Sequence, residues 1–216
     1  MIWRIAICLI FGYAIGCIST GYIVGKAQKV DIRKYGSGNV GTTNALRTLG
    51  KKAALITLLG DVLKCAIPVI LIKYVFFKEL PETDLLGLYT ALGAVLGHTF
   101  PFYLKFKGGK GIAVLVGTIL TFDWRIFLIC VATFFLILAL TRFVSLGSLV
   151  MEVEFVIWVA MTRPGDWHML TLSAVFAVLA FYTHRENIKR LLHGTENKIG
   201  QKVKIPRKEE AKENEQ

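Results

Sequence analysis

Seven apolar runs, near residues 3–25, 53–77, 85–104, 111–122, 125–140, 146–161 and 168–183, dominate the sequence and leave little of it for a water-facing surface. Hydrophobic residues make up 54% of the 216 and charged residues only 19%, with a mean hydropathy of +0.56. A soluble domain of this length needs more polar surface, so the pattern implies an all-α integral membrane protein with about seven transmembrane helices. Several runs fall short of the ~20 residues that an upright helix needs to cross ~30 Å of hydrocarbon. The 111–122 run would reach only ~18 Å, so it needs a thinned bilayer or a partly buried end. Five crossings plus a re-entrant segment is the alternative arrangement. No internal repeat relates the runs.

The formal net charge is +11, and it is segregated. Twenty of the 26 Lys and Arg residues lie in 26–52, 105–110, at Arg142 and after residue 184. The three intervening loops, KELPETD, FDWR and TRPGDW, carry one each. That asymmetry argues for cytoplasmic loops rather than a nucleic-acid partner. It places the N-terminus outside, the C-terminus in the cytoplasm and the four basic regions on one face. Residues 1–197 then form a single transmembrane domain and 198–216 a charged cytoplasmic tail. The N-terminal run has one Arg ahead of it and continues apolar past Cys17, so it is expected to be a retained helix rather than a cleaved leader. Cys8, Cys17, Cys65 and Cys130 all fall inside apolar runs without metal-ligand spacing, and read as buried packing residues.

Four polar motifs interrupt the apolar pattern, each at the end of a run. GSGNVGTTNALR, from Gly36 to Arg47, combines mobile backbone donors with Ser37, Asn39, Thr43 and Asn44. A helix starting near Thr42–Asn44 would add its positive end, and Arg47 a bidentate phosphate partner. KGGKG, with Gly108, Gly109, Lys110 and Gly111, opens onto the fourth run but lacks the spacing of a nucleotide-binding P-loop. In RFVSLGSL, Ser145 and Ser148 are one helical turn apart. In HRENIKRLLHGTE, His184 and Asn187 share a face, and together they can orient a hydroxyl, take its proton or hold an oxyanion.

Asp61 and Lys64, three residues apart in the second run, are expected to form an intramembrane ion pair. Glu152 and Glu154 cannot face one partner on a helix, and the sequence offers no role for them. The charge-derived topology gathers all four motifs on the cytoplasmic face, with cations for about two phosphate groups. Phosphorylated substrates handled at the inner leaflet fit that arrangement.

YGSGNVGTTN with Arg47, GHTFPFYLKFKGGKGIA, RFVSLGSL and HRENIKRLLHGTE, in this order, resemble the motifs of the bacterial acyl-phosphate:glycerol-3-phosphate acyltransferase (PlsY) family. The resemblance covers residues from about 10 to 197. It departs from the family at Gly41-Thr42-Thr43-Asn44, where G-A-T-N is usual. It implies a small helical membrane enzyme of the bacterial inner membrane, with its active site at the cytoplasmic face. The implied reaction is transfer of a fatty acyl group from acyl phosphate to the 1-hydroxyl of glycerol 3-phosphate, the first acylation of phospholipid synthesis. By motif position it places His184, Asn187 and Ser37 in catalysis. Asn39, Thr43, Asn44, Arg47, Gly108, Gly109, Lys110, Gly111, Ser145 and Ser148 are placed in substrate binding.

Acyl phosphate is already activated, so no metal, cofactor or covalent enzyme intermediate is required, and membrane lipid is the remaining partner. The hydroxyl proton would go to His184 or to the departing phosphate. An H-x4-D mechanism is excluded, because Tyr103, Ser173, Lys189 and Lys198 stand five residues after the four histidines. A monomer is expected to suffice. The rival reading is a small transporter or channel for an anionic solute, which should carry polar groups to the outer face and often an internal repeat.

Overall fold

The computed structural model describes residues 1–201, in which ten α-helices follow one another without a strand. They are α1 (Ile2–Gly16), α2 (Thr20–Ala27), α3 (Thr42–Thr48), α4 (Lys51–Leu71), α5 (Thr83–Thr99), α6 (Ile112–Phe122), α7 (Trp124–Thr141), α8 (Val144–Thr162), α9 (Trp167–Thr183) and α10 (Arg185–Leu192). All seven apolar runs lie on helices, as the hydropathy pattern requires. Five helical segments are long and apolar enough to cross a membrane, and α9 with α10, bent by 64°, makes a sixth. The expected seventh is α6, whose 11 residues cover ~16 Å. The charged tail beyond residue 201 lies outside the described residues.

Breaks inside apolar segments are tolerated only where the freed backbone groups find partners. The first run breaks between α1 and α2, and its carbonyls are met from other helices: Tyr103 Oη donates to Cys17 O at 2.8 Å and Lys64 Nζ to Ile18 O at 2.8 Å. Short α6 ends against a buried cation. Lys73, in the π-helical turn that follows α4, donates to Thr121 O at 2.9 Å and pairs with Asp84 at 2.9 Å. Asp84 in turn binds Arg163 at 2.6 Å, joining the α8–α9 connection to α5.

Helices α1 and α5 pack tightly against each other. Gly12 and Gly16 face Gly93 and Gly97, two small-xxx-small stripes that meet backbone to backbone. A Cβ on Gly93 would stand 2.3 Å from Leu9 O, and one on Gly16 2.3 Å from Ala94 O. Gly93→Leu is therefore expected to destabilise the fold by on the order of 3 kcal/mol, since neither backbone can yield without separating the helices. A depressed thermal midpoint in detergent checks this; a midpoint equal to wild type would contradict the close packing. The remaining core joins α4 to α9 through Cys65, Val114, Leu115, Ile119, Cys130, Phe155 and Phe176. All four cysteines are free and buried, as expected. Glu152 is 3% exposed, and one oxygen each of Glu152 and Glu154 has no hydrogen-bond partner among the described residues; nothing in the fold explains the pair.

Candidate active site

The four motifs meet at one cavity of about 410 Å³. Its polar end is lined by Ser37, Asn39, Thr42, Thr43, Asn44 and Arg47 from the first motif and by Lys110 and Gly111 from the second. Ser145 and Ser148 come from the third, His184 and Asn187 from the fourth. From there the cavity runs on between α6, α7 and α8 over Ile112, Val116, Phe127, Val131, Phe134, Leu138 and Met151. One space thus joins a cation-rich mouth to an apolar groove.

Each motif is held by a local device. Asn44 is buried, and its amide is engaged by the loop: Oδ1 accepts from Ser37 N at 2.9 Å, while Nδ2 faces the carbonyls of Ile32, Tyr35 and Asn39. Asn39 Oδ1 accepts from Gly41 N at 2.8 Å. The amides of Ser37, Gly38 and Gly41 are therefore committed inside the loop and do not contribute to the expected cradle of backbone donors. The loop also presents side chains to the cavity. Thr42 Oγ1 and Arg47 Nε are buried without a hydrogen-bond partner among the described residues, and Arg47 Nη2 makes only a long 3.5 Å contact to Asn197 O.

The second motif needs a similar correction. Gly108 and Gly109 donate their amides to Thr99 O and His98 O, both at 3.0 Å, and do not line the cavity. Gly109 lies against the His98 ring, where a Cβ would fall 1.9 Å from Nε2. Gly111 turns the chain into α6 at φ +87°. Gly108 and Gly109 thus support the turn that carries Lys110 and do not offer their amides to an anion, whereas Gly111 lines the cavity. Lys110 Nζ donates to Asn187 Oδ1. Burial pulls its pKa down to about 8, opposed by the Glu196 carboxylate and reinforced by Arg190 and Arg47. Burial likewise lowers the pKa of Arg47, which nonetheless stays charged.

Glu196, the last residue of HRENIKRLLHGTE and given no role from the sequence, is the hub of the fourth motif. Its Oε1 accepts from Asn187 Nδ2 at 2.7 Å and Ser145 Oγ at 3.1 Å, and its Oε2 from Arg190 Nε at 2.8 Å. The chain returns to the site after α10 through Gly194 at φ +68°, and Ile199 pairs with the backbone of Arg142 at 2.9 Å. His184 Nδ1 lies 2.8 Å from Ala180 O. A carbonyl only accepts, so Nδ1 carries the proton and Nε2 of the neutral ring is left as an acceptor. Ser148 Oγ donates to Val144 O at 2.9 Å and keeps its lone pairs for the cavity. Arg190 pairs with Glu196 at 2.8 Å, whereas Arg47 and Lys110 have no ion-pair partner among the described residues.

A family model described as glycerol-3-phosphate acyltransferase matches residues 6–194. Glycerol-3-phosphate acyltransferase of Thermoanaerobacter pseudethanolicus is 44% identical over 197 residues, covering 91% of this chain and 96% of the relative. The protein of the same name from Bacillus subtilis is 41% identical over 196 residues, 90% and 97% of the two chains. The crystal structure of PlsY, an integral membrane glycerol 3-phosphate acyltransferase, in its glycerol 3-phosphate form superposes with a TM-score of 0.82 at 34% identity, over 91% of this chain and 96% of that one. Its lysophosphatidic acid form gives 0.80 at 33% identity.

Proposed function

The chain belongs to the glycerol-3-phosphate acyltransferase (PlsY) family of membrane enzymes, and from that membership we propose that it acylates the 1-hydroxyl of glycerol 3-phosphate using acyl phosphate. The products are 1-acyl-glycerol 3-phosphate and inorganic phosphate. The observation that carries this reading is the shape of the cavity: two cations without an ion-pair partner among the described residues, at the mouth of an apolar groove. One end suits phosphate and the other a fatty chain.

The chemistry follows from that layout. The 1-hydroxyl oxygen forms a bond to the acyl carbonyl carbon, the carbon–oxygen bond of the mixed anhydride breaks, and phosphate departs. Two phosphates about 4 Å apart repel by about 4 kcal/mol per pair of unit charges at an effective dielectric of 20. Arg47 and Lys110 offset that repulsion and hold both anions in line. His184 Nε2 faces the cavity as an acceptor, so it takes the hydroxyl proton or orients the hydroxyl while the departing phosphate takes it. Ser37 and Thr43 add hydroxyl donors, and Ser148 an acceptor. Asn44 keeps the first motif in shape and Asn187 steers Lys110.

The proposed enzyme acts as a monomer. The basic loops support a cytoplasmic-facing site with the N-terminus outside, in the bacterial inner membrane, with residues 1–197 as one domain and 198–216 as a solvated tail. Protein purified in detergent with a chelator present is expected to form lysophosphatidic acid from acyl phosphate and not from acyl-CoA. Product only from acyl-CoA, or only with added metal, would overturn the donor assignment.

Lys110 also sets a pH dependence. It is a cation below its pKa and neutral above it, so kcat/KM for glycerol 3-phosphate should fall as pH rises through about 8. Bound phosphate favours the charged form and moves the same limb in kcat to higher pH. Lys110→Arg is expected to abolish the limb; a limb that persists at about 8 would assign it to another group.

A further inference from the structure

Asp61 in α4 is a carboxylate that lines the cavity and that the reaction above leaves without a role. It is 1% exposed. Lys64 Nζ balances its charge at 2.8 Å from Oδ1, and His98 Nδ1 lies 3.8 Å from the same oxygen. The Lys64 ammonium is otherwise engaged, donating to Ile18 O at 2.8 Å and lying 2.7 Å from His98 Nδ1. Oδ1 is thus held by the Lys64 ammonium, whereas Oδ2 receives no hydrogen bond from the described residues and no cation lies within ion-pair distance of it among them.

A buried carboxylate oxygen without a donor is costly, and such groups are ordinarily satisfied. A carboxylate can only accept, so its missing partner must donate. Phosphate is repelled by the charge and has Arg47 and Lys110 elsewhere in the cavity. The oxygens of Asn39, Asn44, Asn187 and Glu196 already accept hydrogen bonds. Asp61 is thus the lining carboxylate with unused acceptor capacity, and the donor that fits it is a hydroxyl of the bound polyol.

We propose that Asp61 accepts the hydrogen bond of the secondary, non-reacting hydroxyl of glycerol 3-phosphate and selects for an acceptor that carries it. This rests on the functional reading above. The reacting hydroxyl must lie near His184 and the groove walls of α7 and α8, whereas α4 packs on α3, α5 and α6 and supplies a different wall. His98 couples the two ends: the ring beside Asp61 also supports Gly109, next to Lys110. Hydroxyl recognition and phosphate recognition thereby share one rigid element.

The test compares glycerol 3-phosphate with 3-hydroxypropyl phosphate, which keeps the phosphate and the reacting hydroxyl but lacks the secondary one. The wild-type enzyme should prefer glycerol 3-phosphate by about 10- to 100-fold in kcat/KM, the value of a hydrogen bond to a charged group. In Asp61→Ala the preference should collapse toward unity, and Asp61→Asn should fall between. Each ratio is read within one preparation, so a reduced folded fraction does not enter it. Equal use of both acceptors by the wild-type enzyme, or variants slowed on both with the preference intact, would overturn the inference and leave the acyltransferase reading standing. Failure to acylate either acceptor from acyl phosphate would overturn the functional reading itself.

Discussion

Lys110→Ala is expected to lower kcat/KM for glycerol 3-phosphate on the order of 10³-fold, about 4 kcal/mol of lost transition-state stabilisation. Among the described residues Lys110 and Arg47 line the cavity without an ion-pair partner, and the proposed reaction brings two anions to them where water is largely displaced. Its removal also frees Asn187 Oδ1, so the amide keeps only its hydrogen bond to Glu196. Stability should move the other way. Burial disfavours the ammonium, as its lowered pKa shows, so the thermal midpoint of the variant should hold or rise. Lost activity with retained stability separates a substrate-binding cation from a structural one. Arg47→Ala should behave alike in activity, and a variant at either position that keeps the wild-type rate would contradict the phosphate site.

Glu196→Ala should lower kcat/KM by on the order of 10²-fold or more and also destabilise the fold, because removing one partner of a buried charge pair leaves the other unbalanced. Three donors on α8 and α10 converge on this carboxylate, and they belong to the third and fourth motifs. Without it the Arg190 guanidinium faces the mouth uncompensated, Ser145 loses its acceptor, and the segment returning after Gly194 loses its anchor. Because Lys110, Asn187 and Glu196 form one chain of hydrogen bonds, Lys110→Ala and Glu196→Ala should combine less than additively. Additive losses would mean that the two residues act separately. Glu196→Gln, which keeps the shape and part of the acceptor set, should recover some of the rate.

The helices were legible because hydropathy reports burial in lipid directly, and every apolar run lies on one. The shortness of the 111–122 run was legible too; its end was not, since Lys73 caps Thr121 from far along the chain. The paired glycine stripes of α1 and α5 are visible in GYAIG and GAVLG once their spacing is sought. Within the site, the motifs pointed out in the sequence include Ser37, Arg47, Lys110, Ser145, Ser148, His184 and Asn187, which line one cavity. Their division of labour was not readable. Whether a glycine amide meets an anion or a neighbouring carbonyl depends on tertiary placement, and in Gly108 and Gly109 the carbonyls prevail. Asn44 looked like a ligand for the same reason. Glu196 was missed because its role depends on a chain reversal that local pattern does not encode, and Asp61 because its Lys64 partner explains it sufficiently until the cavity beside it is seen.

The proposal that one cavity holds both phosphates makes a kinetic demand that can be met or refused. Initial rates measured with acyl phosphate and glycerol 3-phosphate varied together, in detergent and with chelator, test it most directly. Direct transfer within a ternary complex gives double-reciprocal lines that converge. Parallel lines, together with an acyl group trapped on the enzyme in the absence of glycerol 3-phosphate, would show a covalent relay and contradict simultaneous occupancy of the site.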